Sequence, residues 1–293
     1  MRELAFISAL RRLASHPAAR GLNDDCAVLE IGDETLILTH DTMAEGVHYL
    51  PGQDAADVAW KLVASNMSDL AAKGAQPLGV LLGYMLGAGD ARFLAGLEEA
   101  LDHYQAPLLG GDTISGTGAQ VLGLTAIGRA THRPVPSRAG AQAGDALWIT
   151  GPVGAAMLGL EALRAAPDAP VADSLAYRRP QALLCEGQAL APHVSAMMDV
   201  SDGLLLDAAR LARASGVTLA IGSDRVPLAA PEARRAEALR WGEDYQLLFT
   251  APPGFQPAII AHCIGEALPG GGAPLVLDGL PLGEADGLGY EHR

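Results

Sequence analysis

The chain has 293 residues, 49% of them apolar, and its 34 acidic against 20 basic residues give a formal net charge of −14. That length suggests two domains, at roughly 150 residues each, and that apolar content excludes a disordered chain. The acidic balance argues against nucleic acid or an anionic membrane surface as partner, because both need a basic face. Lysine occurs only as Lys61 and Lys73, so arginine carries most of the positive charge. The cysteines, Cys26, Cys185 and Cys263, are scattered and form no C-x-x-C pair, which reads as reduced thiols and a cytoplasmic location. No window reaches the roughly 18 consecutive apolar residues that a membrane span needs.

The first expected element is an amphipathic helix within residues 1–20, with Leu4, Ile7, Ser8, Arg11 and Arg12 at helical spacing. Cys26–Ile31 and Thr35–Thr39 flank Gly32-Asp33-Glu34 and predict a β-hairpin. A loop centred on Asp33 sets Asp25 opposite Asp41. Asp54 then offers an N-cap for a helix running to Lys73, stopped by Gly74 and Pro77. A strand over 79–86, a helix over 91–104 and a strand over 121–129 follow. The Pro- and Arg-containing segment 131–144 is the expected domain boundary, dividing the chain into 1–137 and 138–293. Beyond it come a strand over 146–150, a helix over 155–164, a strand over 195–200, a helix over 203–215 ended by Gly216, and a strand over 245–251. The tail reads as loop-rich. Strands and helices alternate on both sides of residue 137, which predicts an α/β class chain with two units.

Several acidic residues fall where local structure does not ask for them. Asp25 and Asp41 repel each other if paired across a ladder, unless a hard cation reverses the sign. Asp69 lies near a helix C-terminus, which already carries partial negative charge. Pairing with Lys73 one turn on is the plain explanation, but the stripe Ser65, Asn66, Ser68 and Asp69 on an apolar helix points to a site. Gly110-Gly111-Asp112-Thr113 reads as flexible backbone able to approach a ligand, or as a simple turn. Asp199 closes a strand and Asp202 opens a helix, where an ordinary N-cap is the competing reading. Trp241-Gly-Glu-Asp-Tyr245 sets two adjacent acids before a strand. The sequence has no P-loop, no zinc-ligand spacing and no G-x-S-x-G elbow. Dispersed carboxylates, little lysine and glycine-rich backbone together suggest Mg²⁺ bridging phosphate groups.

Seven stretches in order, 23–29, 39–48, 64–75, 110–113, 137–145, 199–207 and 242–250, resemble the thiamine-monophosphate kinase family of the aminoimidazole ribonucleotide synthetase-like superfamily. The resemblance implies ATP-dependent phosphorylation of thiamine monophosphate to thiamine diphosphate, a two-domain fold, and a homodimer whose N-terminal strands share a barrel. It implies Asp25, Thr39, Asp41, Asp69, Asp112, Asp199 and Asp202 as Mg²⁺ ligands, with Asp41, Asp69 and Arg138 in the catalytic role. Ser201, Arg138, Gly111 and Asp112 would meet ATP, and His48, Glu243 and Tyr290 would meet thiamine monophosphate. His40 departs from the Thr or Ser of the family, Gln246 replaces a Glu, and the tail lacks the usual final aromatic. Another ATP-using enzyme of the superfamily, or a non-catalytic nucleotide- and metal-binding module, is the alternative.

Overall fold

The computed structural model describes residues 3–166, 171–283 and 286–291. A helix, α1, covers Glu3–Leu10, shorter than the expected one, and the side chain of Leu4 lies outside the described residues. The hairpin forms as β1 (Ala27–Ile31) and β2 (Glu34–Ala44). Its register differs from the expected one: Ile31 pairs with Glu34 and Ala27 with Leu38. The turn holds only Gly32 and Asp33, with Gly32 at φ 59°, the left-handed first position that a tight two-residue turn requires. Asp25 therefore precedes the ladder and does not face Asp41 across it.

Helix α2 spans Ala55–Ala72, capped by the Asp54 side chain on the Ala56 N–H (3.0 Å) and ended at Lys73. Then come β3 (Ala75–Met85), α3 (Asp90–Tyr104), β4 (Leu108–Ile114) and β5 (Val121–Ala130). The five strands form one sheet in the order β1-β2-β5-β3-β4, antiparallel except for β3 with β4. The Gly110–Thr113 segment is thus neither a free loop nor a turn: it is an edge strand. A Cβ on Gly111 would lie 2.0 Å from the Leu82 carbonyl, so glycine is what lets β4 approach β3. Helices α2 and α3 cover one face, burying Ile37, Met43, Val80, Leu122, Leu124 and Ala126 against Leu62, Val63, Met67 and Phe93. The other face and the whole of β4 are exposed, with Leu81, Leu108, Leu109 and Ile114 between 40% and 56% accessible.

The rest of the chain builds a second sheet. Its elements are β6 (Ala146–Ile149), α4 (Ala155–Ala165), α5 (Val171–Arg178), α6 (Leu184–Leu190), β7 (Ala196–Asp199), α7 (Leu204–Ser215), β8 (Val217–Ile221), α8 (Arg235–Ala238) and β9 (Leu247–Ala251). The tail adds β10 (His262–Pro269), β11 (Leu275–Leu277) and β12 (Leu280–Leu282), where loops were expected. The order is β12-β11-β8-β10-β6-β9-β7, with β8 and β11 the parallel pair. Strands and helices alternate along the chain, yet most neighbours run antiparallel, so the class is mixed α/β with α+β sheet pairing. No closed barrel forms among the described residues. A core of Leu147, Ile149, Met198, Leu205, Leu219 and Leu248 lies beneath α4 and α7.

Candidate active site

Three acids converge. Ligand oxygens of Asp25, before β1, Asp69, on α2, and Asp199, at the end of β7, lie within 4.8 Å of one another. The second sheet thus contributes Asp199 to a cluster whose other members come from the first. The polar stripe of α2 faces this point. Ser68 Oγ donates to Asp199 Oδ2 (2.7 Å), and Asn66 Oδ1 accepts the Asp41 N–H (3.2 Å). Thr39 Oγ1 donates to Asp69 Oδ2. Ser65, Asn66 and Ser68, on a largely apolar helix, are all under 5% exposed, so their polar groups are buried toward this point and not in solvent.

The carboxylates raise one another. Burial, then the charges of Asp41, Asp199 and Asp25, push the Asp69 carboxyl well above its ordinary range. Burial and Asp25 push Asp199 up to about 8, with the Ser68 hydrogen bond opposing. Burial also raises Asp41, helped by Asp202 and Asp25 and opposed by Ser65 and His40. Close, desolvated, all-oxygen donors of this kind fit a hard divalent cation, which would replace their mutual repulsion by attraction. The residues present therefore suit Mg²⁺.

Lys73 does not pair with Asp69. Its fully buried ammonium lies 2.5 Å from both Asp24 Oδ1 and Asp25 Oδ2. Arg138 Nε donates to Asp25 Oδ1 (2.8 Å), its second nitrogen reaching the same oxygen, and Arg20 engages Asp24. Asp25 is thus fixed from behind by two cations while it joins the acid cluster. On the C-terminal side, Asp202 is not an N-cap: Gly203 holds that position, and Asp202 pairs with Arg210. Asp207, buried in the first turn of α7, accepts the N–H groups of Ser201 (3.0 Å) and Asp202 (2.9 Å). Burial pushes its carboxyl up to about 6 against the pull of Arg210. Neither Asp207 nor the Lys73–Asp24 pair was singled out from the sequence, although the scarcity of lysine was a usable signal.

Asp112 does not join the cluster within one chain. Ladder pairing sets it in line with Gly83, Gly123 and Thr42, on the exposed face of the sheet. It lies about 14 Å from Thr42 at ~4.8 Å per strand spacing. Asp41 points to the opposite, helix-covered face. The same alternation accounts for His40, whose Nδ1 lies 2.8 Å from Thr125 Oγ1 on the exposed face. Its ring therefore lies on the sheet face opposite to the Asp41 carboxylate.

A cavity of about 1200 Å³ meets the cluster through Arg138, which pairs with Asp25; Arg11, Arg210 and Arg213 line it with Asp24, and Val47 and Tyr290 stand on its wall. Tyr290 is 47% exposed, and its N–H donates to the Asp202 carbonyl (2.9 Å). His48 Nδ1 accepts the Ala44 N–H (3.1 Å). Glu243 sits in a loop where both it (φ 67°) and Tyr245 (φ 50°) adopt left-handed backbone. That loop is tied down by Glu243 N–H to the Ser201 carbonyl (2.8 Å), and by Asp244 accepting the Gly154 (2.6 Å) and Ala156 (3.0 Å) N–H groups. Gln246 Oε1 accepts from Thr150 Oγ1 (3.0 Å) and so serves the fold.

The chain resembles known proteins over nearly its whole length. Residues 23–130 match the family model of the AIR synthase related protein N-terminal domain, and 142–270 that of its C-terminal domain. Thiamine-monophosphate kinase of Escherichia coli (strain K12) is 35% identical over 93% of this chain and 91% of its own. The solved structure of AaThiL complexed with AMPPCP and TMP superposes with a TM-score of 0.88 at 29% identity, covering 100% of this chain and 97% of that one. Thiamine-monophosphate kinase from Stenotrophomonas maltophilia K279a gives a TM-score of 0.77 at 30% identity, covering 95% and 96%. A chain of a HypE–HypF complex, at 16% identity and a TM-score of 0.73, shares the fold.

Proposed function

The chain belongs to the thiamine-monophosphate kinase family of AIR synthase related proteins, and on that premise we propose that it transfers the γ-phosphoryl group of ATP to the phosphate of thiamine monophosphate. The products are ADP and thiamine diphosphate. The observation that carries this reading is the meeting of Asp25, Asp69 and Asp199 beside an arginine-lined cavity. A relative of the same fold is complexed with AMPPCP and TMP.

The acceptor phosphate is already largely deprotonated at neutral pH, so the protein need not supply a general base. Its task is to bring two anions into line and hold them there. Arg138, beside the acids and on the cavity wall, suits a planar contact to a phosphate of ATP. Ser201, Gly111 and Asp112 complete the nucleotide contacts, and His48, Glu243 and Tyr290 hold the acceptor. Asp25, Thr39, Asp41, Asp69, Asp112, Asp199 and Asp202 are the metal donors, more residues than the roughly six positions of one Mg²⁺, which supports more than one ion. Bound there, Mg²⁺ would neutralise phosphate charge that Asp41 and Asp69 alone would repel. Transfer is direct, without a phosphoenzyme.

We further place the domain boundary at 137/138, residues 1–137 holding metal, ATP and the dimer contact and 138–293 forming the C-terminal unit. The chain works as a cytoplasmic homodimer sharing a barrel. The exposed face and unpaired edge of β4 support this, since a long bare edge asks for a partner. Across such a dimer Gly111 and Asp112 would reach the partner's nucleotide, in keeping with Asp112 standing three strands away from Thr42 within one chain. No helix among the described residues is long and apolar enough to cross a membrane.

The test is ADP release with ATP and Mg²⁺, with and without thiamine monophosphate, and chromatography of the product. Acceptor-dependent ADP and stoichiometric thiamine diphosphate are expected. ATP binding without turnover on any phosphorylated acceptor would favour a binding module instead. A burst of ADP before acceptor is added would count against direct transfer.

A further inference from the structure

The two lysines of the chain are both fully buried, and only Lys73 belongs to the acid cluster. Lys61 stands elsewhere on α2. Its Nζ lies 2.6 Å from Glu243 Oε1, donates to the His48 carbonyl (2.9 Å), and sits 3.7 Å from the centre of the Tyr177 ring. The Tyr177 hydroxyl donates to the same His48 carbonyl (3.1 Å). Four separate segments therefore meet at one ammonium: α2, the turn after β2, the α5 helix and the loop before β9.

Such a group is costly to bury. Desolvation pulls the Lys61 pKa down, and Glu243 only partly restores it. Two left-handed residues, Glu243 and Tyr245, add backbone strain in the same loop. Strain and a buried charge in one place mark a position held for a purpose beyond packing. The exposures are unequal: the Lys61 side chain is 0% accessible and that of Glu243 23%. An incoming ligand meets the carboxylate, never the ammonium.

We propose that Lys61 is a positioning residue for acceptor recognition: through the Glu243 carboxylate and the His48 carbonyl it fixes both acceptor-contacting segments in one arrangement, presenting a carboxylate to the cationic, amine-bearing organic end of the acceptor. The inference rests on the kinase reading above and adds to it a residue that touches neither substrate. Tyr177 shares the role, because it braces the same carbonyl and stacks beneath the same ammonium.

The experiment is steady-state kinetics of the full-length protein with ATP, Mg²⁺ and thiamine monophosphate, for wild type, Lys61→Met, Lys61→Arg, Glu243→Gln and the Lys61→Met/Glu243→Gln double variant. Lys61→Met is expected to raise KM for thiamine monophosphate about tenfold or more, the scale of one charge-assisted contact. KM for ATP should stay within about twofold. Lys61→Arg should recover part of the loss, and the double variant should lose clearly less than the two single effects combined, because Lys61 and Glu243 share one contact and only the His48 carbonyl bond is Lys61's separate share. The double variant carries no unpaired buried charge, so it keeps the comparison open if Lys61→Met alone fails to fold. Unchanged acceptor KM, equal rises in both KM values, or additive losses in the double variant would overturn the inference while leaving the kinase reading intact. No acceptor-dependent turnover in the wild type would overturn the reading and the inference with it.

Discussion

Replacing Lys73 by Met removes the cation that two buried acids share. The Asp24 and Asp25 side chains are 2% and 1% exposed, and each lies 2.5 Å from the ammonium. Breaking a buried pair by deleting one partner typically costs about 3–5 kcal/mol. Here Arg20 still holds Asp24 and Arg138 still holds Asp25, so the lower end, about 3 kcal/mol, is expected. Urea unfolding in metal-free buffer near pH 7 measures it, as a lowered midpoint at unchanged slope. Adding Asp24→Asn should give non-additive losses, by about 1 kcal/mol or more, because the two side chains touch. The acid limb provides a second reading. Burial pushes the Asp24 carboxyl up, but Lys73 and then Arg20 more than reverse this and hold it below its ordinary 3.8. A lowered folded value contributes stability above the unfolded pKa that is lost as pH falls through the folded one. Wild type should therefore lose stability below about pH 4, and Lys73→Met should lose less there. A loss under about 1 kcal/mol, no more than an exposed pair contributes, with an acid limb like that of the wild type, would refute the assignment of Lys73 as the keystone of this corner.

The remaining predictions concern the acids and the sheet. Asp199 has a raised folded pKa, so its contribution is present below 3.8 and is lost as pH rises through about 8. Metal-free protein should weaken over that window, and Asp199→Asn should flatten the profile and reduce the rise in Tm on adding Mg²⁺; identical profiles would contradict the site. Asp41→Ala and Asp69→Ala should each lower turnover roughly a hundredfold or more while the metal-free fold stays as stable or gains; near-wild-type rates in both would remove the multi-metal reading. Leu81→Glu places a charge on the exposed sheet face and should convert dimer to monomer in light scattering after gel filtration. A dimer that persists unchanged would place the interface elsewhere.

Much of the site could be read from residue types, and the errors have local causes. Helix α2 was legible end to end because Asp54, Gly74 and Pro77 are strong boundary signals. The stripe Ser65, Asn66, Ser68 and Asp69 pointed to chemistry because polar groups on a helix face that buries everything else need partners. The hairpin was legible, but its register depended on whether the turn holds two residues or three, which alternation alone does not decide. Strand β4 was missed because Gly110 and Gly111 carry no strand signal; its extended form comes from pairing with β3. β10 was hidden in the same way, since Gly265 and Glu266 break its apolar pattern. The partners of Lys73 were illegible because Asp24 and Asp25 are 49 and 48 positions away, and only the folded chain brings them together.

Asp199 belongs to one sheet, whereas Asp25 and Asp69 belong to the other. A cation held by all three would bind more tightly when the sheets adopt one relative placement, and by reciprocity its binding would favour that placement. Free Mg²⁺ concentration then becomes a mechanical variable, setting how firmly the two halves are latched. An enzyme whose substrate arrives as the magnesium salt of a nucleotide would in this way be tightened by the cargo it is about to process.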